Sequence, residues 1–163
     1  MDIRYSAHPE DVKRYTTEEL RKEFLIQDLY QPDTVQAVYS HVDRMVVLGI
    51  MPVNEALPID KGIDVWANFG TNFFLERREA GVFNLGGAGW IEADGVKYEL
   101  GFEDCLYISR STKSVVFGSN GCANLRLNSE CRNDVGNDVL WEAEIVHHVL
   151  ANLIVLEVPE HTF

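Results

Sequence analysis

The sequence predicts an all-β fold, an antiparallel β-sandwich or barrel, with an N-terminal helical arm and a C-terminal helix. From Val35 onward, short apolar runs recur at intervals of roughly ten residues, which is typical of sandwiches and barrels. Gly-rich or Asp-Gly turns separate these runs, and they do not alternate with helical patterns. A length of 163 residues suits one domain with its own core.

Three segments follow from these patterns. We expect an arm and one helix over residues 1–34, the barrel over 35–118, and a divergent tail over 119–163. The first helix is predicted to begin at Thr17, because this capping residue precedes two acidic residues and an apolar pattern.

The barrel strands are predicted from apolar alternation and from β-branched runs. Val35, Ala37 and Tyr39 alternate with polar residues, and the run from Arg44 to Met51 ends at Pro52. Six further strands are predicted at 72–75, 81–85, 90–93, 96–100, 105–108 and 114–117. The dipeptide Asp94-Gly95 predicts a type I′ hairpin.

The stretch FFLERREAGVFNLGGAG contains three glycines that invite comparison with a phosphate-binding loop. Gly86, Gly87 and Gly89 fit neither of the usual glycine spacings, and a strand rather than a helix is predicted after them. We therefore interpret them as a bend at which strands approach each other closely.

Composition excludes several partners. The net charge is −12 with no Lys/Arg cluster, which disfavours binding to nucleic acid and to anionic membranes. The N-terminus has no apolar signal region, so we expect a cytoplasmic protein. Cys105, Cys122 and Cys131 are too few and too irregularly spaced for a disulfide framework, and reduced thiols are expected.

The tail is predicted to be a loop followed by an amphipathic helix. The apolar residues recur at helical spacing: Val139, Ala143, Val146, Leu150 and Leu153. Glu144, His147 and His148 have spacings that suit metal ligands on a helix. The two histidines point about 100° apart, however, so we favour polar residues that flank an apolar stripe.

Part of the barrel segment matches a cupin motif. Glu79 is followed by AGVFNL and Gly86, which is the second half of the first motif of cupins, small β-barrels that often hold one metal. Where that motif has two histidines, this chain has Phe73 and Leu75. Neither side chain offers a lone pair to zinc or iron. If the chain forms a cupin barrel, apolar side chains fill its metal position.

Four segments carry a closer resemblance: RKEFLIQDLY, YSHVDRMVVLGIMP, FFLERREAGVFNLGGAG and KSVVFGS. In order and spacing they resemble the N-terminal part of the 5-keto-4-deoxyuronate isomerase family, over roughly residues 1–118. The resemblance implies ketol-isomerisation of 4-deoxy-L-threo-5-hexosulose uronate to 3-deoxy-D-glycero-2,5-hexodiulosonate during pectin breakdown. It also implies a uronate substrate, a zinc ion, two cupin-like halves and a homo-hexamer.

The metal site of that family lies in its C-terminal half, in an H-T-H-E-R-R motif. This motif does not occur in the sequence. No catalytic or metal-binding residue can therefore be carried over, and we expect a truncated chain that holds no cofactor and is inactive alone. Two alternatives stay open: a non-catalytic cupin-like module for binding or subunit interaction, and a degenerate remnant.

Two polar groups remain as ligand or interface candidates. Glu76, Arg77, Arg78 and Glu79 include arginines suited to a uronate carboxylate. We favour a network of paired charges at a strand end or subunit contact.

His41 and Arg44, with Asp43, form a second polar group beside an apolar strand. A hydrogen-bonded structural role is favoured for this group.

Other conspicuous side chains are assigned to packing. Trp66, Trp90 and Trp141 are interpreted as core or interface aromatics rather than as platforms for sugar stacking. Cys105 follows Asp104, and a neighbouring carboxylate raises rather than lowers a thiol pKa. We therefore expect no reactive nucleophile there.

Overall fold

The computed structural model describes residues 1–42 and 44–120, and the backbone of residues 152–157. The helices of this part are α1 (Pro9–Val12), α2 (Thr17–Phe24) and α3 (Val65–Phe69). The strands are β1 (Asp2–Arg4), β2 (Val35–Ser40), β3 (Met45–Ile50), β4 (Leu57–Pro58), β5 (Glu79–Asn84), β6 (Gly89–Ala93), β7 (Val96–Leu100), β8 (Cys105–Ile108), β9 (Val115–Ser119) and β10 (Asn152–Glu157).

The strands form two sheets. One sheet has six strands in the order β1-β2-β3-β10-β5-β8, and the other has four in the order β4-β9-β6-β7. Strand pairs are antiparallel except for β1 with β2, which is parallel. This architecture confirms the predicted all-β antiparallel fold class with an N-terminal helical arm.

One apolar core involves both sheets. Val46, Leu48 and Val82 from the six-stranded sheet belong to the same buried cluster as Ile91 and Phe117 from the four-stranded sheet. Each of these five side chains is at most 1% exposed. Alternate residues of a strand point to opposite faces, so one face of each sheet contributes to this core.

Helix α2 is stabilised at both ends by side chains. Thr16, one residue before the predicted start, is the N-cap and exchanges hydrogen bonds with Glu19 in a capping box. At the other end, Arg4 Nη1 donates to the carbonyl oxygen of Leu25 at 2.8 Å. The helix buries none of its own residues, so these end contacts matter for its stability.

The segment 72–75 is a turn, which contradicts the strand predicted there. The Glu76 carboxylate accepts hydrogen bonds from the backbone N–H of Asn72 at 2.5 Å and from its side-chain amide at 3.1 Å. The N–H of Glu76 also donates to the carbonyl oxygen of Phe73. These local hydrogen bonds compete with strand pairing.

Helix α3 was not predicted, although the sequence contains signals for both of its ends. Asp64 caps its N-terminus by accepting from the N–H of Ala67 at 2.8 Å. Gly70 ends it with φ +64°, the left-handed conformation that glycine adopts readily. With five residues, the helix is too short for a hydrophobic period to reveal.

The predicted hairpin at Asp94-Gly95 is confirmed. Both residues have positive φ, 46° and 83°, as a type I′ turn requires. The Asp94 carboxylate also accepts hydrogen bonds from the N–H groups of Lys113 and Ser114. The turn is therefore held to the start of β9 as well as to its own hairpin.

The apolar spacing in the tail predicted a helix that includes Leu153. This prediction is wrong for Leu153. Leu153 lies in β10, which pairs with β3 on one side and β5 on the other. A continuous apolar run of this kind also suits a strand between two neighbours. The rest of the predicted tail, residues 121–151 and 158–163, lies outside the described residues. In the described part of the chain, no helix is long and apolar enough to span a membrane.

Candidate functional site

The four candidate residues at 76–79 have different environments. Arg77 is exposed, Glu76 and Glu79 are half-buried, and Arg78 is buried. No salt bridge joins these four side chains to one another in the described residues, so the favoured network of paired charges does not form within the segment. A role for them at a subunit contact stays a prediction.

The two glutamates bind other partners. Hydrogen bonds from Asn72 hold the pKa of Glu76 below its ordinary value, and nearby Arg77 adds to this effect. Glu79 accepts a hydrogen bond from the hydroxyl of exposed Tyr107, and this bond raises the pKa of Tyr107. Neither glutamate is positioned as a counter-ion for Arg78.

Arg78 is a buried cation. Arg78 is 6% exposed, and its guanidinium carbon lies 3.9 Å from the ring centroid of Phe69. Burial lowers the pKa of Arg78, Tyr39 raises it, and Arg77 lowers it further. The side-chain atoms Nε and Nη1 are buried, and neither has a hydrogen-bond partner among residues 1–42 and 44–120.

Two buried or partly buried residues near this segment, Phe69 and Thr71, were not identified from the sequence. Phe69, which contacts Arg78, packs edge to face against Phe74, with ring centroids 5.5 Å apart, and its centroid lies 6.4 Å from that of Tyr39. Thr71, two residues after Phe69, is 1% exposed, and its hydroxyl has no hydrogen-bond partner among the described residues. Neither Phe69 nor Thr71 belongs to a sequence motif, so no signal in the chain pointed to them.

The His41 group lies at the N-terminal arm. The ring of exposed His41 stacks on Tyr5 at 4.8 Å and meets Tyr39 edge to face at 4.9 Å. The backbone N–H of His41 donates to the carbonyl oxygen of Arg4. Arg44 is exposed and has φ +55° in the turn before β3. The hydrogen-bonded structural role favoured for this group stays a prediction, and Asp43 lies outside the described residues.

The residues at the cupin metal position do not fit a metal. Leu75 is 1% exposed and belongs to the hydrophobic core, and Phe73 is half-buried in the turn before it. A hydrocarbon side chain packed in the core offers no donor atom to zinc. Among the described residues, no group of three or more His, Cys, Asp or Glu side chains is placed to hold an ion. Glu144, His147 and His148 lie outside them.

The glycine-rich stretch forms a corner organised by Asn84. This side chain is fully buried, and its amide donates to the carbonyl oxygens of Gly87 at 2.9 Å and Gly101 at 2.7 Å. Its oxygen accepts from the N–H of Gly86 at 3.0 Å. The bend connects β5 of one sheet to β6 of the other, so the glycines lie in a crossing between sheets.

The remaining conspicuous side chains are at the surface. Trp66 is 69% exposed and is therefore not a core residue; a place for it in an interface stays a prediction. Trp90 is half-buried, with Lys97 Nζ 4.7 Å from its ring centroid. Cys105 is an exposed free thiol. Trp141, Cys122 and Cys131 lie outside the described residues.

Two antiparallel sheets around one core, with the ERRE segment leading into β5, define a cupin-like β-sandwich protein. Among solved structures, similarity is found to an RmlC-like cupin protein from Desulfovibrio desulfuricans, with TM-score 0.44 and 12% identity over 77% of this chain and 82% of that chain. The cupin domain of an XRE-family transcriptional regulator from Enterobacter cloacae gives TM-score 0.46 and 7% identity over 78% and 97%.

Curated ketol-isomerases are similar in sequence to most of this chain. The 4-deoxy-L-threo-5-hexosulose-uronate ketol-isomerase of Pectobacterium carotovorum subsp. carotovorum is 47% identical over 119 residues, 73% of this chain and 42% of the relative. The corresponding protein of Caldicellulosiruptor bescii is 44% identical over 124 residues, 76% of this chain and 44% of the relative. The similarity lies in the N-terminal half of these ketol-isomerases, and the chain spans less than half the length of these relatives. No protein-family profile matches the chain.

Proposed function

We propose that this chain is the metal-free, non-catalytic half of a 4-deoxy-L-threo-5-hexosulose-uronate ketol-isomerase that acts in uronate catabolism in the cytoplasm. One observation carries the proposal: identity of 44–47% to proteins of that name over 42–44% of their length. The core position of Leu75 supports a non-catalytic role for this half.

A ketol-isomerase moves a proton between neighbouring carbons, and a bound metal ion would supply positive charge near the substrate oxygens. In this chain the cupin metal position is occupied by hydrocarbon, so we assign no step of that reaction to its residues. Isomerisation then requires a second half that carries the metal site. The substrate of the complete enzyme is a small uronate.

Reconstitution tests this proposal. The purified chain is assayed on the unsaturated uronate product of pectate lyase, alone and mixed with the separately expressed C-terminal half of the Pectobacterium relative. We expect turnover in the mixture and none from the chain alone. Elemental analysis of the chain is expected to find zinc far below one ion per chain.

Two results would contradict it. Turnover by the isolated chain with one zinc per chain would show a metal site among its own residues. If the mixture forms a complex but gives no more turnover than the C-terminal half alone, this chain is not a functional half of the enzyme. The intact Pectobacterium enzyme is the positive control.

A second candidate, a subunit-interaction module, is favoured by an exposed apolar patch beside edge strand β8. The patch consists of Phe83, Leu85, Phe102 and Tyr107, whose exposed fractions are 43%, 41%, 56% and 64%. Contiguous exposed apolar side chains mark interaction surfaces. The partner we propose is the second cupin-like half, since the chain spans less than half of its relatives.

Binding measurements test the patch. In analytical ultracentrifugation, F83S/F102S is expected to bind the C-terminal half of the Pectobacterium relative at least about tenfold more weakly, because apolar burial drives association. Tyr98→Ser on β7, 42% exposed, is the matched control. Equal affinity of both variants and the unchanged chain would place the interface elsewhere.

A further inference from the structure

Arg78 continues the inward-facing positions of β5. Ala80, Val82 and Asn84 alternate along this strand and are each at most 1% exposed. Arg78 precedes Ala80 by two residues and is also buried, at 6% exposed. A period of two places all four side chains on one face of the sheet, the face that packs into the core.

The positive charge of Arg78 has no carboxylate partner in the described part of the chain. Among the described residues, Tyr39 favours its charged form, and Arg77 opposes it. Its contact with Phe69 leaves Nε and Nη1 without acceptors. A guanidinium stays charged at any physiological pH, so burial without an anion is strongly unfavourable.

A second unsatisfied donor lies close along the chain. Thr71 is fully buried and lies two residues after Phe69 in the chain, and its hydroxyl has no hydrogen-bond partner within the described part of the chain. Buried polar groups are almost always hydrogen-bonded, and such exceptions point to an absent water, ion or ligand. Arg78 and Thr71 are therefore two independent exceptions: Phe69 contacts Arg78, and Thr71 follows Phe69 by two residues in the chain.

We propose that Arg78 and Thr71 bind the carboxylate of a small organic acid within the sandwich. Two carboxylate oxygens would accept from the guanidinium and from the threonine hydroxyl, and one negative charge would balance one buried cation. A phosphate dianion would leave excess negative charge buried.

This site does not depend on the proposed function, since it needs neither zinc nor a second half. The test uses the isolated chain with sodium acetate and sodium galacturonate as carboxylate probes. Sodium chloride and phosphate serve as other anions at matched ionic strength. Thermal unfolding and calorimetric titration are compared for the unchanged chain, R78M, T71V and the control R77M, which removes the adjacent exposed charge.

We expect a carboxylate at ten times its Kd to raise the Tm of the unchanged chain and of R77M by about 3–6 °C. R78M should show no such rise, and T71V a smaller one. Without added anion, R78M should melt at the same temperature as the unchanged chain or higher, because it removes an unpaired buried charge. A purely structural arginine would instead make R78M less stable under every condition.

An NMR measurement on the unchanged chain covers the case in which R78M does not fold. Acetate is expected to shift the Nε–H resonance of Arg78 and leave that of Arg77 in place. Equal responses of R78M and R77M to acetate, or no response of the Arg78 resonance, would overturn the site. Chloride or phosphate shifts as large as those of acetate would overturn its assignment to carboxylates.

Discussion

The indole of Trp90 occupies the space that a side chain at position 118 would need. Trp90 and Gly118 are directly opposite each other on β6 and β9. A Cβ atom added to Gly118 would lie 2.2 Å from Cε2 and Cζ2 of the indole. Glycine at 118 is therefore required by this packing.

Gly118→Ala is expected to lower the free energy of unfolding by about 1–3 kcal/mol, because overpacking forces the ring or the strand to move. Urea denaturation measures the change. In a Trp90→Ala background the same substitution should cost much less, since the obstructing ring is gone. Gly101→Ala is the matched control, because its Cβ would meet Asp104 Oδ2 at 3.3 Å. Equal costs of G118A in both backgrounds would contradict the packing explanation.

Asn84→Asp tests the corner between the two sheets. The substitution preserves shape but replaces the amide that donates to Gly87 and Gly101 with a carboxylate that faces both carbonyl oxygens. We expect a loss of about 2–5 kcal/mol at pH 7. Burial and these carbonyls should raise the pKa of the new carboxyl in the folded state. Part of the stability should then return as the pH falls.

Asn120→Asp is the control for the corner. Its amide donates to the Glu99 carboxylate at an exposed position, so a much smaller loss is expected. Thermal unfolding of both variants between pH 7 and pH 4 provides the comparison. A loss for Asn84→Asp that does not change with pH would rule out the buried charge as its cause.

The ionised carboxylate of Asp33 is expected to make the free energy of unfolding depend on pH. Burial opposes ionisation of its carboxylate, but hydrogen bonds from Asn54 and Val53 outweigh it and lower the pKa below 3.8. A pKa lowered by folding contributes stability above the ordinary value and loses it as pH falls through the folded value. We expect the stability advantage over Asp33→Asn to be constant from about pH 5 to pH 7 and to shrink below about pH 4.

Asn suits this comparison because it tolerates the left-handed backbone of Asp33, with φ +57°. Chemical denaturation at each pH measures the difference between the two proteins. Asp28→Asn, at another residue with positive φ, is the control. If the stability advantage of the unchanged chain over Asp33→Asn grew as the pH fell, the pKa of Asp33 would be raised by folding rather than lowered.

Thr16→Ala removes the N-cap of α2, and a cap of this kind contributes about 0.5–2 kcal/mol. Because the helix buries none of its residues, the loss is expected in local opening rather than in global unfolding. Hydrogen exchange of the α2 amides should become faster, with little change in Tm. Thr34→Ala, which loses a hydrogen bond to the carbonyl of Gln31 in a loop, should leave those amides unchanged.

The predictions that the structure confirms depend on residues close together in the sequence. The hairpin at Asp94-Gly95 and the start of α2 depend on residues within a few positions of one another, and the structure has both. The strand predicted at 72–75 failed because the Glu76 carboxylate binds Asn72 and favours a turn. At Leu153 the apolar spacing suited a helix, but pairing with β3 and β5 determines a strand.

The candidate site was predictable in part. Sequence alone identified Arg78 among four charged residues and placed apolar residues at the cupin metal position. It did not distinguish Arg78 from Arg77, because neighbours in a chain have the same local context. Arg78 is buried and Arg77 is exposed because side chains alternate between the two faces along β5 and the residues just before it, and because Arg78 contacts Phe69.

The amino-acid sequence by itself determined the resemblance to the ketol-isomerases, the antiparallel class, the hairpin turn and the hydrocarbon at Phe73 and Leu75. These depend on residue types and short spacings, which can be read along the chain. The tertiary structure decided the order of the strands, the place of β10 between β3 and β5, and the burial of the Arg78 charge without a carboxylate partner among the described residues. Strand pairing and burial join residues far apart in the chain, and their free energies arise only when those residues meet.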